Sequence, residues 1–291
     1  MLIERLKTAI PLILVFALSF LLPAPYAGWF FFALCVAGLL LAFHEAFTML
    51  FPPQEGSRPL KMVCSVFGLL LLVFSCIGQV GDSHSLEPVI LILFVLCAFL
   101  VVFRYGPTPK MVNSLMVSLG IFLYLAWTLS YLPRLYFKCH PNSLLFLIAV
   151  TKMADVGAYA IGVSTAKLPG GNHKITRVLS PKKSWEGLFG GILFAVLTAL
   201  VLQPLLINSN SAIGLKLPIW TALVTGLVAA LAGLLGDLAE SALKRAANVK
   251  DSGHIPGIGG VLDVLDSLIP MAPLYYCFLT IVAPYYDVLG G

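Results

Sequence analysis

Apolar residues run through this chain in long unbroken stretches, separated by short segments where glycine, proline and charged residues collect. An α-helix needs roughly 20 apolar residues to cross the ~30 Å hydrocarbon core of a bilayer. On that ruler about nine helices are predicted, near 8–23, 27–50, 61–79, 87–103, 113–132, 143–163, 185–206, 218–238 and 267–287. No interval between them is long enough for a soluble domain, and no internal repeat stands out. The fold class read from this pattern is all-α: a polytopic integral membrane protein of about nine transmembrane helices. The first stretch also has the basic start, apolar centre and small-residue end of a signal peptide. With eight further spans behind it, it reads as an uncleaved first helix.

Composition agrees. Hydrophobic residues make up 59% of the 291 positions and charged residues only 11%, against about 25% charged in ordinary soluble domains. Lipid is therefore the expected solvent for most of the chain. The net charge of +5 fits basic cytoplasmic loops and anionic headgroups. There is no basic stripe with interleaved aromatics, so nucleic acid is not an expected partner. The six cysteines form no CxxC pair and lie mostly in apolar runs, which argues against a disulfide framework or a zinc site.

Loop charges predict orientation. With the N-terminus in the cytoplasm and sides alternating, fourteen Lys and Arg fall on the cytoplasmic side. Only Arg134, Lys138 and Lys216 fall on the other, and Lys152 lies inside a span. That bias is the positive-inside pattern. The expected location is the cell inner (plasma) membrane, multi-pass, with the chemistry facing the cytoplasm.

Candidate chemistry divides the chain in two. Residues 1–140, the first five spans, are apolar and poor in motifs, with His44 and Glu45 the main polar exceptions. Residues 141–291 carry clustered polar groups and are the expected catalytic region. Five of the thirteen acidic residues lie between Gly236 and Ser267: Asp237, Glu240, Asp251, Asp263 and Asp266. Hard oxygen ligands at this density suit Mg²⁺, which commonly shares its shell with substrate phosphates. Asp237, Ser241 and Lys244 share one helix face, as do Asp263 and Asp266. Two acidic faces are thus expected to converge on one metal centre. The glycine-rich turn between them (Gly253, Gly257, Gly259, Gly260) would let backbone N–H groups approach a phosphate.

A second segment, Thr151–Gly187, places Asp155 inside a span, where a carboxylate costs about 2.5–3.5 kcal/mol. Its local partner is Lys152, and the pair has a plain reading as an internal ion pair. In SPKKSWEG, Ser184 is a candidate helix cap. Lys182 and Lys183 beside a helix N-terminus attract anions, and Glu186 falls in the first turn. Positive-inside anchoring with Trp185 at the interface accounts for the same residues. No GxxxxGK[ST], HExxH or GxSxG motif occurs.

The Gly236–Ser267 stretch resembles the signature of the phosphatidate cytidylyltransferase family, the CDP-diacylglycerol synthases. The resemblance is carried by Ser241, Leu243, Lys244, Arg245, Lys250, Asp251, Gly253, Pro256, Gly257, Gly259, Gly260, Val261, Asp263 and Asp266. ADVGAYAIG and SPKKSWEG resemble two further motifs of that family. Ile258 stands where the family usually has His, Val264 where it has Arg, and the stretch from Lys250 to Pro256 is one residue shorter. The resemblance implies CMP transfer from CTP to phosphatidic acid, giving CDP-diacylglycerol and pyrophosphate. It implies Mg²⁺ with a second cation such as K⁺, held by Asp237, Asp263 and Asp266, with Asp251 a further ligand or water-orienting group. Lys183, Lys244, Arg245 and Lys250 would bind phosphates, Ser241 would line the substrate site, and Asp155 and Glu186 would line or brace the cavity. A homodimer among membrane lipids is also implied. Two other classes fit the residues less closely: a CTP-dependent lipid kinase, which would release CDP, and a transporter using Asp155, Lys152 and Glu45 as an ion path.

Overall fold

The computed structural model of the chain describes residues 2–51, 57–77, 86–176, 179–209, 216–253, 255 and 259–283. Among the described residues there is no strand, only two isolated bridges, Lys174–Ser184 and Ile255–Gly259. The long helices are α1 (Leu2–Leu21), α2 (Tyr26–Leu50), α3 (Ser57–Cys76), α4 (Glu87–Tyr105), α5 (Pro109–Cys139), α6 (Pro141–Thr165), α7 (Trp185–Asn208), α8 (Ile219–Ala246) and α9 (Val261–Val282). Among the described residues eight of them, α2 to α9, are long and apolar enough to cross a bilayer by length and composition. The fold is all-α and polytopic, as the apolar runs predict. The expected count of nine crossings rests on α1, of which the described apolar residues are Ile10–Leu21.

The chain forms two compact units. The first comprises Met1–Lys138 together with Ala246–Val264, and the second Cys139–Arg245 with Leu265–Gly291. In the first unit large apolar side chains interlock. Phe94 of α4 stacks on Phe122 of α5 with ring centroids 3.6 Å apart, and Phe31 of α2 stacks on Tyr136 of α5 at 4.3 Å. Gly68 lets α3 approach α2: a Cβ there would stand 2.9 Å from Phe43 and 3.1 Å from Leu39.

A polar knot ties three helices of this unit. Arg134 Nη1 of α5 sits 2.8 Å from Glu87 Oε2 at the start of α4, with side chains 11% and 17% exposed. Trp127 Nε1 donates to the other Glu87 oxygen at 2.5 Å. Arg134 Nε donates to Ser75 Oγ of α3 at 3.3 Å, and its guanidinium lies 4.5 Å from the Tyr131 ring centroid. Removing one partner of a buried pair strands the other charge, at a cost of about 3 kcal/mol or more. Glu87→Leu is therefore expected to lower the thermal unfolding midpoint in lipid-detergent micelles. Glu87→Leu/Arg134→Met should recover most of that loss; a double variant as unstable as the single would show that packing dominates.

The second unit is built on small residues. Along α6 and α7, a Cβ on Gly157 would meet the Gly190 carbonyl oxygen at 2.6 Å, and one on Gly191 would meet the Ala154 carbonyl oxygen at 3.0 Å. Backbone approach of this kind is how helices associate in lipid, where dispersion replaces hydrophobic drive. Gly162 is less demanding, with 3.7 Å to its nearest neighbours. The glycine seam fixes the α6–α7 pair that carries Lys152, Asp155 and Glu186.

Candidate active site

Helix α8 runs without interruption from Ile219 to Ala246, so Asp237, Glu240 and Lys244 stand at i, i+3 and i+7 on one face. Helix α9 is different. It is helical over Val261–Leu265, turns at 266–267 and resumes at Leu268. The turn lies hard against α8. A Cβ at Gly236 would collide with the Asp266 carbonyl oxygen and stand 3.0 Å from the carbonyl carbon, so only glycine admits this approach. The Ser267 N–H donates back to Asp266 Oδ1 at 2.5 Å and closes the turn. One carboxylate oxygen each from Asp237, Glu240 and Asp266 thereby lies within 4.8 Å of the other two.

Lysines surround this group. Lys183 contacts Asp237 directly. Lys244 Nζ lies 2.9 Å from Glu240 Oε2, whose side chain is 1% exposed. On α6, Lys152 Nζ lies 3.3 Å from Asp155 and donates to Ser267 Oγ at 2.8 Å, and that hydroxyl donates to Asp155 Oδ2 at 3.3 Å. Lys152 and Asp155 thus do more than pair with each other: they hold the residue next to Asp266. In an octahedral shell at about 2.1 Å, ligand oxygens stand roughly 3 Å apart when adjacent and roughly 4 Å when opposite. The three oxygens fit one hard divalent cation with small shifts, and no soft ligand is present among them.

Helix α7 begins where SPKKSWEG predicts. Ser184 is extended at its start and its Oγ accepts the Gly187 N–H at 3.1 Å, a standard N-cap. Glu186 accepts the His173 N–H at 3.1 Å and lies 2.6 Å from His173 Nδ1. With Asn172, Lys174, Trp185 and Phe189 they line an open cleft of about 650 Å³.

In the first unit, the loop before α9 folds around two carboxylates. Asp263 Oδ2 accepts the Gly260 N–H at 2.9 Å, the Ser252 N–H at 3.1 Å and the Ser252 hydroxyl at 2.8 Å. Reaching back from the third helical position to the N-cap N–H is half of a capping box. Glu45 of α2 accepts the next two N–H groups, Val261 at 2.8 Å and Leu262 at 3.0 Å. The glycines at 253 and 260 leave room for Glu45: a Cβ at Gly253 would stand 2.6 Å from Glu45 Oε1. Gly259 takes φ +100° beside Asp263.

Of the residues singled out in the sequence, the structure brings Asp237 and Asp266 together, with Lys183 and Lys244 beside them. Ser241 is half-buried on α8 and Arg245 exposed at its end. Asp155 joins Lys152 and Ser267; Glu186 joins His173. Asp263 lies in the first unit with Lys250 and Asp251, both exposed. Ile258, Pro256, Gly257 and His254 lie outside the described residues. Sequence reasoning passed over Glu240 as a ligand, although its i+3 spacing from Asp237 signals the shared face. The hydrogen bonds of Glu45 to a loop more than 200 positions away left no local signal.

Fold and site define a class: an all-α membrane protein in which carboxylates and lysines gather into one hard-oxygen group. The chain belongs to the cytidylyltransferase family, whose model matches residues 3–282. It is 30% identical to the phosphatidate cytidylyltransferase of Synechocystis sp. over 293 aligned residues, covering 88% of this chain and 90% of that protein. It is 42% identical to the phosphatidate cytidylyltransferase of Staphylococcus epidermidis over 132 residues, 45% of this chain and 46% of that protein. It is 37% identical to the Escherichia coli protein YnbB over 155 residues, 53% of this chain and 47% of that protein. Against these last two, the chain spans about half of the relative's length.

Proposed function

We propose that the protein is a phosphatidate cytidylyltransferase, joining CTP to phosphatidic acid and releasing pyrophosphate. The observation that carries this reading is family membership over nearly the whole chain combined with the Asp237–Glu240–Asp266 group. A transferase of this kind must bring two anions together and stabilise charge on the departing pyrophosphate. Asp237, Glu240 and Asp266 would hold a divalent cation, Mg²⁺ by the hardness of its ligands. Such a cation supplies neutralisation of phosphate charge. The second cation, K⁺, and a homodimer are supported by the resemblance alone.

The chain's own residues do the rest. Lys183 and Lys244, now held by carboxylates, stand where phosphate oxygens can exchange for them, and Arg245 and Lys250 present exposed charge. The lipid phosphate is already anionic, so no strong general base is required. Asp155 braces Ser267, and Glu186 lines the cleft at the start of α7. Asp251 belongs to the loop before α9 and Asp263 to the first turn of that helix; the resemblance assigns Asp263 to the cation, and its hydrogen bonds to Ser252 and Gly260 add a loop-holding part. The catalytic groups concentrate in residues 141–291. The charge bias of the loops supports a cytoplasmic site in the inner membrane, where soluble CTP and the lipid headgroup meet.

The test is purified full-length protein with phosphatidate, CTP and Mg²⁺, read for liponucleotide and pyrophosphate. Asp263→Ala is expected to lower turnover at least 100-fold, since loss of a positioning contact at this scale misplaces reacting groups. CDP release in place of pyrophosphate would make the protein a lipid kinase. Ion-driven uptake into proteoliposomes without CTP turnover would make it a transporter.

A further inference from the structure

Glu45 lies near the C-terminal end of α2, in the half of the chain that is apolar and poor in motifs. Its carboxylate has an unusual set of partners. Oε1 accepts the Val261 N–H at 2.8 Å, and Oε2 accepts the Leu262 N–H at 3.0 Å and the Ser252 hydroxyl at 3.1 Å. The first N–H groups of a helix have no partner inside it and carry the positive end of the helix dipole. A carboxylate there makes charge-assisted hydrogen bonds, roughly twice as strong as neutral ones. The bonds join residues 216 and 217 positions apart.

The loop is shaped to receive this group. A Cβ at Gly260 would collide with Glu45 Oε2, and one at Gly253 would crowd Oε1. The Ser252 hydroxyl stands between Glu45 and Asp263, 3.1 Å from one and 2.8 Å from the other. Glu45 and Asp263 therefore grip the same serine and consecutive N–H groups, from Gly260 to Leu262. Two carboxylates acting together fix the start of α9 and Ser252, the residue next to Asp251.

We infer that Glu45 is a positioning residue for the transfer reaction. It sets Ser252, Val261 and Leu262 through hydrogen bonds without touching substrate. The inference rests on the cytidylyltransferase reading for its kinetic consequence. The clamp itself can be measured with no substrate present.

The experiment uses the full-length protein in lipid nanodiscs. Glu45→Gln keeps the side-chain size and removes the charge; Glu45→Asp keeps the charge on a shorter arm. Turnover per folded enzyme is expected to fall roughly tenfold or more in Glu45→Gln, because small misplacements of reacting groups are costly. KM for CTP should move less. Hydrogen exchange at the Val261 and Leu262 amides should accelerate by a similar factor without ligand, and Glu45→Asp should recover part of both. Wild-type turnover in Glu45→Gln, or unchanged protection of those two amides, overturns the inference. So does a loss of activity that only tracks the folded fraction. If the wild type makes no liponucleotide, the functional reading has failed and the exchange data alone decide whether Glu45 holds the loop.

Discussion

Asp237→Asn is expected to reduce cytidylyl transfer by roughly 100- to 1,000-fold, the usual loss when one preorganised electrostatic contact to a reacting centre is removed. The variant should still fold and insert. Lys183 and Asp237 are 27% and 28% exposed, and pairs with that much solvent contact contribute about 1 kcal/mol or less. The loss should appear as a raised Mg²⁺ requirement as well as a lower limiting rate, since Asp237 supplies one of the three clustered oxygens. Lys183→Met alone should also lose activity if the lysine binds phosphate, while keeping the Mg²⁺ requirement low. The double variant should lose less than the sum of the two effects, because both residues act on one charge centre. Normal turnover of CTP by Asp237→Asn at ordinary Mg²⁺ would remove the cation site from the mechanism.

The architecture was legible for a simple reason. A chain that must satisfy its backbone inside lipid has few options beyond helices, and runs of about 20 apolar residues announce them. The Ser184 cap was legible too, because its chemistry is confined to four consecutive residues. The site was legible in its residue types and only partly in its geometry. Asp263 and Asp266 stand three positions apart in the sequence; the helix turns at 266–267, and Asp263 is engaged with Ser252 and Gly260. What turns α9 there is the close approach at Gly236 and the hydrogen bonds from Ser267. Neither leaves a periodic mark in the sequence. The glycines of the loop tell the same story. Their number pointed to backbone approach, and sequence alone read the approaching group as phosphate. The structure shows Gly253 and Gly260 making room for the carboxylate of Glu45, a partner that lies far away along the chain.

Gly236→Ala should therefore be far more damaging than one methyl group ordinarily is. The added Cβ meets the Asp266 carbonyl group and Pro270 Cδ, the latter at 3.0 Å. Two of those contacts are backbone, which cannot rotate away. Either α8 and α9 separate or the 266–267 turn shifts. Overpacking of this kind costs about 1–3 kcal/mol, visible as a lower unfolding midpoint. The effect on turnover should be larger, roughly 100-fold, because a displacement of about 1 Å at a carboxylate that orders reactants has that consequence. The neighbouring Gly233→Ala is the internal control. It lies on the same helix, and its Cβ would find only Ser267 Cβ at 3.5 Å, an ordinary contact. In addition, alanine favours the helix over glycine by about 1 kcal/mol. Gly233→Ala should thus keep near-wild-type turnover and unfold no earlier than the parent. Equal behaviour of the two alanine variants would mean that the approach of α8 to the Asp266 turn does not set the geometry of the carboxylate group.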